Sequence, residues 1–365
     1  MTVEKNSDVT ILSDPLMSDY GSGRPSVLIA KEFSKHYKVT IITPTISPHL
    51  SEKLHRSGIE VVDLGINSHF NDQSIQYFEF WIREASLSLN SRKMQCKYAM
   101  LNFGNTLLAP SYAWYAQGPV LAALAIMNSS FPMKYRLGYF AMRDLLIEIE
   151  NRFLKEIRSI TDRVVANSNF TKAQYQRLGI KVDAVIPEPI DLDIFRPSTS
   201  NPSRDYVLSY LGKETDLLVL KKVAEGGLKL KLFGTKFPDI TKTLTNAPNI
   251  EILGRVDDNE LADFYSNALF TIFPFTREEF GYIPVESMAC GTPVLTYGVQ
   301  GPGETVLDNA TGWLVNSPQK MVVKANELWH RKDFYHMATA CQWRANGYAA
   351  SKVAAQWMEL LEKRD

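Results

Sequence analysis

Short apolar runs of strand length alternate with helical patterns along almost the whole chain. That alternation restricts it to α/β architecture with parallel sheets, because parallel neighbours need a crossover, usually a helix, between them. In the first half, residues 9–12, 39–42, 60–64, 98–101, 113–115, 163–166 and 184–186 read as buried strands, with helical spacing over 26–35 and 143–160. In the second half, residues 207–210, 228–233, 250–253, 269–273, 293–296 and 313–315 read as strands, and 259–266, 284–289 and 319–330 as helices. Between the halves, the prolines, serines and charges of PEPIDLDIFRPSTSNPSRD (187–205) mark a linker with its break near residue 200. The expected domains are therefore 1–200 and 201–345, followed by a helix over 346–365 that packs back on the first domain. Two such domains facing across a cleft would bring the C-terminal edges of both sheets together, where open α/β sheets bind ligands.

Composition removes several function classes. Lys and Arg number 40 and so do Asp and Glu, so the basic excess of a nucleic-acid binder is missing and any anion site must be local. Cys96, Cys290 and Cys341 are odd in number and widely spaced, which argues against a disulfide framework or a thiolate zinc site. The six histidines form no close ligand pair. The first residues lack a signal peptide's apolar core, and no run approaches the roughly 18 apolar residues of a membrane span. A cytoplasmic, reducing compartment is the expectation.

The densest chemistry lies in residues 251–315. The strand at 269–273 ends at Pro274, an irregular loop TREEFGY follows, and Pro284 then suits the first position of a helix, where a missing N–H costs nothing. A helix beginning near Ile283 offers unpaired N–H groups and a positive dipole end to a phosphate. Glu278 and Glu286 flank the Gly281 turn with seven residues between them. A carboxylate beside phosphates serves best as an acceptor for ribose hydroxyls, which suits Glu286, while Glu278 suits the hydroxyls of a sugar. The plainer alternative is a solvated loop acid and a favourable acid near a helix N-terminus.

In this context the stretch resembles the donor-binding half of glycosyltransferase family 4, retaining enzymes with two Rossmann-like domains. The family's pair of glutamates appears as Glu278-EFGYIPV-Glu286, followed by SMACGTPVLTY. NIEILGRV, DNELADFY, GVQGPGETV and TGWLV match further family pieces in order, and upstream VVANSNFTKAQYQRLGI and VIPEPIDLDIFRP resemble the end of the first domain. The resemblance covers residues 160–315 closely and the first 120 loosely, and the chain is similar to mannosyltransferases acting on lipid-linked glycans. It implies Glu286 on the ribose, Glu278 on the donor sugar, and backbone donors from Phe280, Gly281, Tyr282 and Ile283 for sugar and phosphate. It also implies a UDP- or GDP-hexose donor, a glycan or lipid-linked acceptor, and no cofactor.

Three departures stand out. The family's Arg and Lys after the first strand of the second domain are reduced to Lys213 in the shortened SYLGKETDLLVLKK; Lys221 and Lys222, farther along, read as solvated. Arg277 could replace the lost charge or pair with Glu279. Gln117, in SYAWYAQGP, stands where such mannosyltransferases carry a His; it can hold a hydroxyl but accepts no proton at neutral pH. Near the N-terminus, Gly21 and Gly23 match loosely the family's loop against acceptor and phosphate, with Arg24 at the helix start to meet an anionic acceptor; a plain strand-to-helix turn is the alternative.

Asp191 and Asp193 have the spacing of a metal-binding Asp-x-Asp but sit in the linker, so no metal is expected. Residues 119–142 mix Phe131, Met133, Tyr135, Leu137, Tyr139 and Phe140 with Lys134 and Arg136, which reads either as a core helix plus an aromatic wall or as a peripheral membrane contact. Two rival functions remain. A catalytically silent partner that binds a sugar nucleotide fits the lost Arg and His. A nicotinamide oxidoreductase fits poorly, because no acid ends the second strand.

Overall fold

The computed structural model describes residues 8–17, 23–70, 72–96, 99–128, 133–199, 201–212, 214–234, 244 and 249–363. Two compact units emerge: Met1–Pro189 with Val353–Asp365, and Ile190–Lys352.

The first unit is a seven-stranded sheet of β1 (Asp8–Leu12), β2 (Lys38–Thr43), β3 (Glu60–Asp63), β4 (Ala99–Asn102), β5 (Ser111–Ala116), β6 (Thr161–Ala166) and β7 (Ala184–Val185). Its order is β3-β2-β1-β4-β5-β6-β7, and every pairing is parallel. Strand β5, SYAWYA, is buried at every position, as a strand covered by helices on both faces must be. Successive side chains point to opposite faces. Trp114 accordingly meets Phe153 and Tyr175, with ring centroids 6.5 and 5.4 Å away, while Tyr115 meets Phe103 and Trp357 at 5.1 and 5.2 Å.

Trp357 comes from the last helix, Ala350–Glu362, whose Val353, Ala354 and Trp357 are buried in the first unit's core. The Tyr112 hydroxyl donates to the Leu360 carbonyl at 2.8 Å. Helix Met133–Ser159 is longer than its apolar spacing implies: it begins at Met133 rather than 143, so the basic, aromatic residues 133–142 are its first turns and not a separate wall. Sequence spacing does not mark helices Pro48–Arg56, Gln73–Leu87 and Asn169–Arg177. Polar caps rather than long apolar stripes begin two of them, where Ser47 and Ser168 each accept a first-turn N–H, as Asp216 also does at helix Leu217–Glu225. Among the described residues, no helix is long and apolar enough to cross a membrane.

The second unit holds β8 (Val207–Leu211), β9 (Leu230–Gly234), β10 (Ile250–Gly254), β11 (Phe270–Phe273), β12 (Val294–Tyr297) and β13 (Gly312–Val315) in the parallel order β10-β9-β8-β11-β12-β13. The strand order reverses direction between β1 and β4 in one unit and between β8 and β11 in the other. A ligand crevice opens at such points.

The chain leaves the first unit after Pro189 and returns after Lys352, whereas composition placed the changes at 200 and 345. Apolar anchors explain the difference. Ile190 and Phe195 are buried in the second core, Ile190 N–H donates to the Tyr348 carbonyl at 2.8 Å, and the Phe195 ring lies 6.3 Å from Tyr265. Asp191 Oδ1 accepts the Asp193 N–H at 3.0 Å, so this acidic pair shapes a turn.

Because Trp357 fills a fully buried site against two rings, Trp357→Ala should destabilise the first unit by about 3–5 kcal/mol. Trp343→Ala, at a position 70% exposed, should change stability by less than about 0.5 kcal/mol. Urea midpoints of the two variants provide the comparison, and equal midpoints would contradict this packing.

Candidate functional site

The loops after β8 and β11 meet at the second unit's switch point. Thr215 and Phe275 form an antiparallel bridge, and Asp216 N–H donates to the Pro274 carbonyl at 3.1 Å. Thr215 Oγ1 accepts from Gly212 N–H at 2.8 Å, tying off the shortened loop that contains Lys213. Lys213 itself lies outside the described residues, as does Gly21 of the first unit. Lys221 and Lys222 are exposed on helix Leu217–Glu225, in line with a solvated role.

Tyr210 lies across the ends of β8 and β9. A Cβ on Gly212 would come within 2.3 Å of its ring and one on Gly234 within 2.7 Å, so both glycines leave space that the ring fills. Burial pushes the Tyr210 hydroxyl up to about 12, helped by Glu214 and Glu278 and opposed by Arg255. One phenol thus senses three charged side chains from three loops. Arg255 was passed over in the sequence, although it sits in LGRV directly after Gly254.

The β11 loop is held by aromatic stacking and then by backbone. Phe273 and Phe275 stack with centroids 4.2 Å apart and planes 2° from parallel. Arg277 adopts a left-handed conformation (φ 65°) and is exposed; Glu278 and Glu279 follow, half-buried. Gly281 then takes φ 91° and ψ 78° and caps helix Tyr282–Ala289, with no side chain accepting from the helix N-terminus. Pro284 is the third helical residue rather than the first, still within the turn where N–H groups lack intrahelical partners. The N–H groups of Tyr282 and Ile283 head this helix, and the Phe280 ring is buried against Tyr282 and Tyr348, each 5.6 Å away.

A second loop braces the first. Gln300 is buried: its Oε1 accepts the Glu278 N–H at 3.0 Å and its Nε2 donates to the Phe275 carbonyl at 2.6 Å. Gly301 N–H donates to the Glu278 carbonyl at 2.9 Å. A Cβ on Gly301 would stand 2.2 Å from the Glu279 carbonyl oxygen, and one on Gly281 would stand 2.7 Å from Pro302. Arg344 Nε, donating to the Thr305 carbonyl at 2.8 Å, ties down the short helix Pro302–Thr305 that follows. Sequence reading noted the glycines of GVQGPGETV but not Gln300, whose role depends on a partner 22 residues away.

Glu286 is more enclosed than its place near the helix start implied. Only 4% of it is exposed, and the Tyr265 hydroxyl donates to its Oε2 at 3.1 Å. Burial first, and Glu286 second, raise the Cys290 thiol well above its ordinary range. Tyr265 is the tyrosine that ends DNELADFY, a motif whose helix begins with a capping box between Asp257 and Glu260.

In the first unit, Gln117 follows β5 and its Nε2 donates to the Phe103 carbonyl at 2.7 Å. Asn167 Nδ2 donates to the Gln117 carbonyl at 3.2 Å and to Glu188 Oε1 at 2.6 Å. Gly23 caps helix Arg24–Phe33, and a Cβ there would strike Leu16 at 2.4 Å. Arg24 is buried rather than projecting from the helix start. Asp14, which the sequence reading did not select, marks the switch point: its Oδ1 accepts from Asn105 N–H, Thr106 N–H and Thr106 Oγ1 at 2.8, 3.1 and 2.8 Å. Among the described residues, no three His, Cys, Asp or Glu side chains converge as a metal-binding group.

Two units, each a parallel sheet with a switch point, match the two-Rossmann-domain fold seen in solved glycosyltransferase structures. Residues 218–348 match the model of the family Glycosyl transferases group 1. An uncharacterized glycosyltransferase of Methanocaldococcus jannaschii is 40% identical over 85 residues, 23% of this chain and 24% of that one. A D-inositol 3-phosphate glycosyltransferase of Streptosporangium roseum is 27% identical over 238 residues, 54% of each chain. The matches thus span about a quarter and about half of these relatives. The crystal structure of Anabaena HepE in complex with UDP and glucose superposes with a TM-score of 0.71 at 14% identity, covering 97% of this chain and 99% of that one.

Gln300→Leu keeps the bulk but removes the hydrogen bond from the Glu278 N–H and the one to the Phe275 carbonyl. It should lower the second unit's stability by about 1–3 kcal/mol, read as a shift in urea midpoint. An unshifted midpoint would show that the brace is not needed.

Proposed function

We propose that the chain is a retaining glycosyltransferase that moves a hexose from UDP or GDP to a glycan or lipid-linked acceptor. The observation that carries this reading is the Glu278–Gly281–Glu286 turn. The Gln300–Gly301 loop fixes it at the C-terminal end of β11, with an uncapped helix N-terminus directly behind. The UDP and glucose held by HepE support a uridine donor.

In this reading, backbone N–H groups of Phe280, Gly281, Tyr282 and Ile283 receive the sugar and diphosphate. As the glycosidic bond breaks, negative charge grows on the departing diphosphate. Fixed N–H dipoles, Lys213 and Arg277 stabilise that charge, taking the part a metal ion plays elsewhere. Such donors favour the transition state because they need no reorganisation as charge develops. Glu278, its backbone clamped by Gln300 and Gly301, accepts from hydroxyls of the sugar. Glu286, oriented by Tyr265, accepts from the ribose. Gln117 has its amide nitrogen committed to Phe103, so its part at the edge of the first unit is positioning rather than proton transfer. In this reading Gly21, Gly23 and Arg24 serve the acceptor.

Glu286→Ala should weaken nucleotide binding by about 1.5–3 kcal/mol, roughly ten- to a hundred-fold, as expected for hydrogen bonds to a charged acceptor. Glu278→Ala should leave nucleotide affinity nearly intact and lower turnover. Calorimetric titration with UDP and GDP, paired with nucleotide-sugar hydrolysis rates, separates the two roles. Wild-type nucleotide affinity in Glu286→Ala would remove the ribose assignment. Tight nucleotide binding with no hydrolysis or transfer by the wild-type protein would favour a silent binding partner.

A further inference from the structure

Arg255 stands just past the C-terminal end of β10, exposed, and among the described residues its side chain has no hydrogen-bond or ion-pair partner. The strand is built to aim it. Ile252 pairs with Leu232 but Gly254 with Phe233, so one extra residue, Leu253, bulges into the ladder, and Gly254 takes φ 80°. Such a bulge re-aims the side chains that follow it and recurs beside active sites. Tyr210 also pairs with Phe233, so Tyr210, Phe233 and Gly254 form one row across β8, β9 and β10. Neighbouring strands lie about 4.8 Å apart, which leaves the long side chains of Tyr210 and Arg255 within reach of one another. Gly234, one residue past Phe233, puts no side chain between them.

The charges at this edge define what such a pair can hold. Glu214 and Glu278 act on the Tyr210 hydroxyl with one sign and Arg255 with the other, so two carboxylates and one guanidinium surround it. Held up to about 12 mainly by burial, the phenol keeps its proton at neutral pH and has an O–H to donate. A diphosphate arriving here meets two acids, and its charge is tolerated only where a cation offsets them. We propose that Arg255 and the Tyr210 hydroxyl hold the diphosphate of the donor nucleotide from the β10 side of the switch point, while helix Tyr282–Ala289 meets it from the β11 side. A guanidinium suits this place, because its planar fork offers parallel N–H donors to the oxygens of a phosphate. This role rests on the donor reading of the Glu278–Glu286 turn and gives that site two further side chains.

Calorimetric titration of the full chain with UDP and with GDP tests the pair, with uridine and guanosine followed by ligand-observed NMR at millimolar concentration. For the diphosphate that the wild-type protein binds, Arg255→Ala should weaken affinity about ten- to a hundred-fold, the usual cost of a lost hydrogen bond to a charged group. The matching nucleoside should bind both proteins alike. Arg255→Lys, which keeps the charge but loses the fork, should fall between the two. Tyr210→Phe keeps the ring over Gly212 and Gly234 and should weaken the diphosphate about ten-fold, again sparing the nucleoside. Wild-type diphosphate affinity in Arg255→Ala or Tyr210→Phe overturns the proposal. So does an equal loss for the nucleoside, which would place Arg255 on the base or ribose. A wild-type protein that binds neither UDP nor GDP would instead remove the donor reading itself.

Discussion

Backbone approaches backbone at Gly301 more closely than any side chain would permit, with a Cβ there only 2.2 Å from the Glu279 carbonyl oxygen. This contact, together with Gly301 N–H to Glu278 and the two hydrogen bonds of Gln300, converts the loop after β11 from an irregular excursion into a fixed turn. Everything proposed for the second unit depends on that turn. It sets Glu278, forces Gly281 into a left-handed conformation against Pro302, and aims the start of helix Tyr282–Ala289 toward the sheet edge. Preorganisation of this kind lets weak dipoles act strongly, since the donors are already in place when charge appears.

The chain's overall neutrality conceals a locally charged edge. Tyr210, seated over Gly212 and Gly234, gathers Glu214, Glu278 and Arg255 around its hydroxyl. Glu286 instead is withdrawn from solvent and held by Tyr265. The two glutamates of one motif therefore meet different environments: Glu278 is half-buried on a braced loop, while Glu286 is enclosed within the helix packing. That contrast is the physical basis for giving them different tasks. A half-open carboxylate can meet a sugar that arrives and leaves, whereas an enclosed one holds a fixed orientation toward a single part of the nucleotide.

Much of this was legible in the sequence, for reasons that differ by element. Strands of a buried parallel sheet announce themselves as apolar runs, and β5, buried throughout, is the clearest. The order of motifs from NIEILGRV to TGWLV located the switch-point loop. Three things were hidden. The segment 187–205 has linker composition, yet Ile190 and Phe195 anchor its first part in the second core, because burial depends on what surrounds a residue and not on its neighbours in sequence. The start of helix Met133–Ser159 was obscured because its first turns expose apolar residues, so the inward-facing periodicity that signals a helix begins only later. Gln300, Tyr265 and Arg255 gain their roles from contacts across loops, which no local pattern encodes. Gly21 and Lys213 lie outside the described residues, and their places in the site rest on the motif resemblance.

Thermal unfolding of the full chain with UDP, GDP, ADP and NAD, each free and the first three also as their hexose conjugates, tests the central claim most directly. A nucleotide or nucleotide-sugar bound at the Glu278–Glu286 turn and present at about 100 times its dissociation constant should stabilise the fold by about 2.7 kcal/mol. The account predicts an upward shift with either the UDP or the GDP series, none with NAD, and a smaller shift for Glu286→Ala. Stabilisation by NAD alone, or by none of these ligands at millimolar concentration, would contradict it.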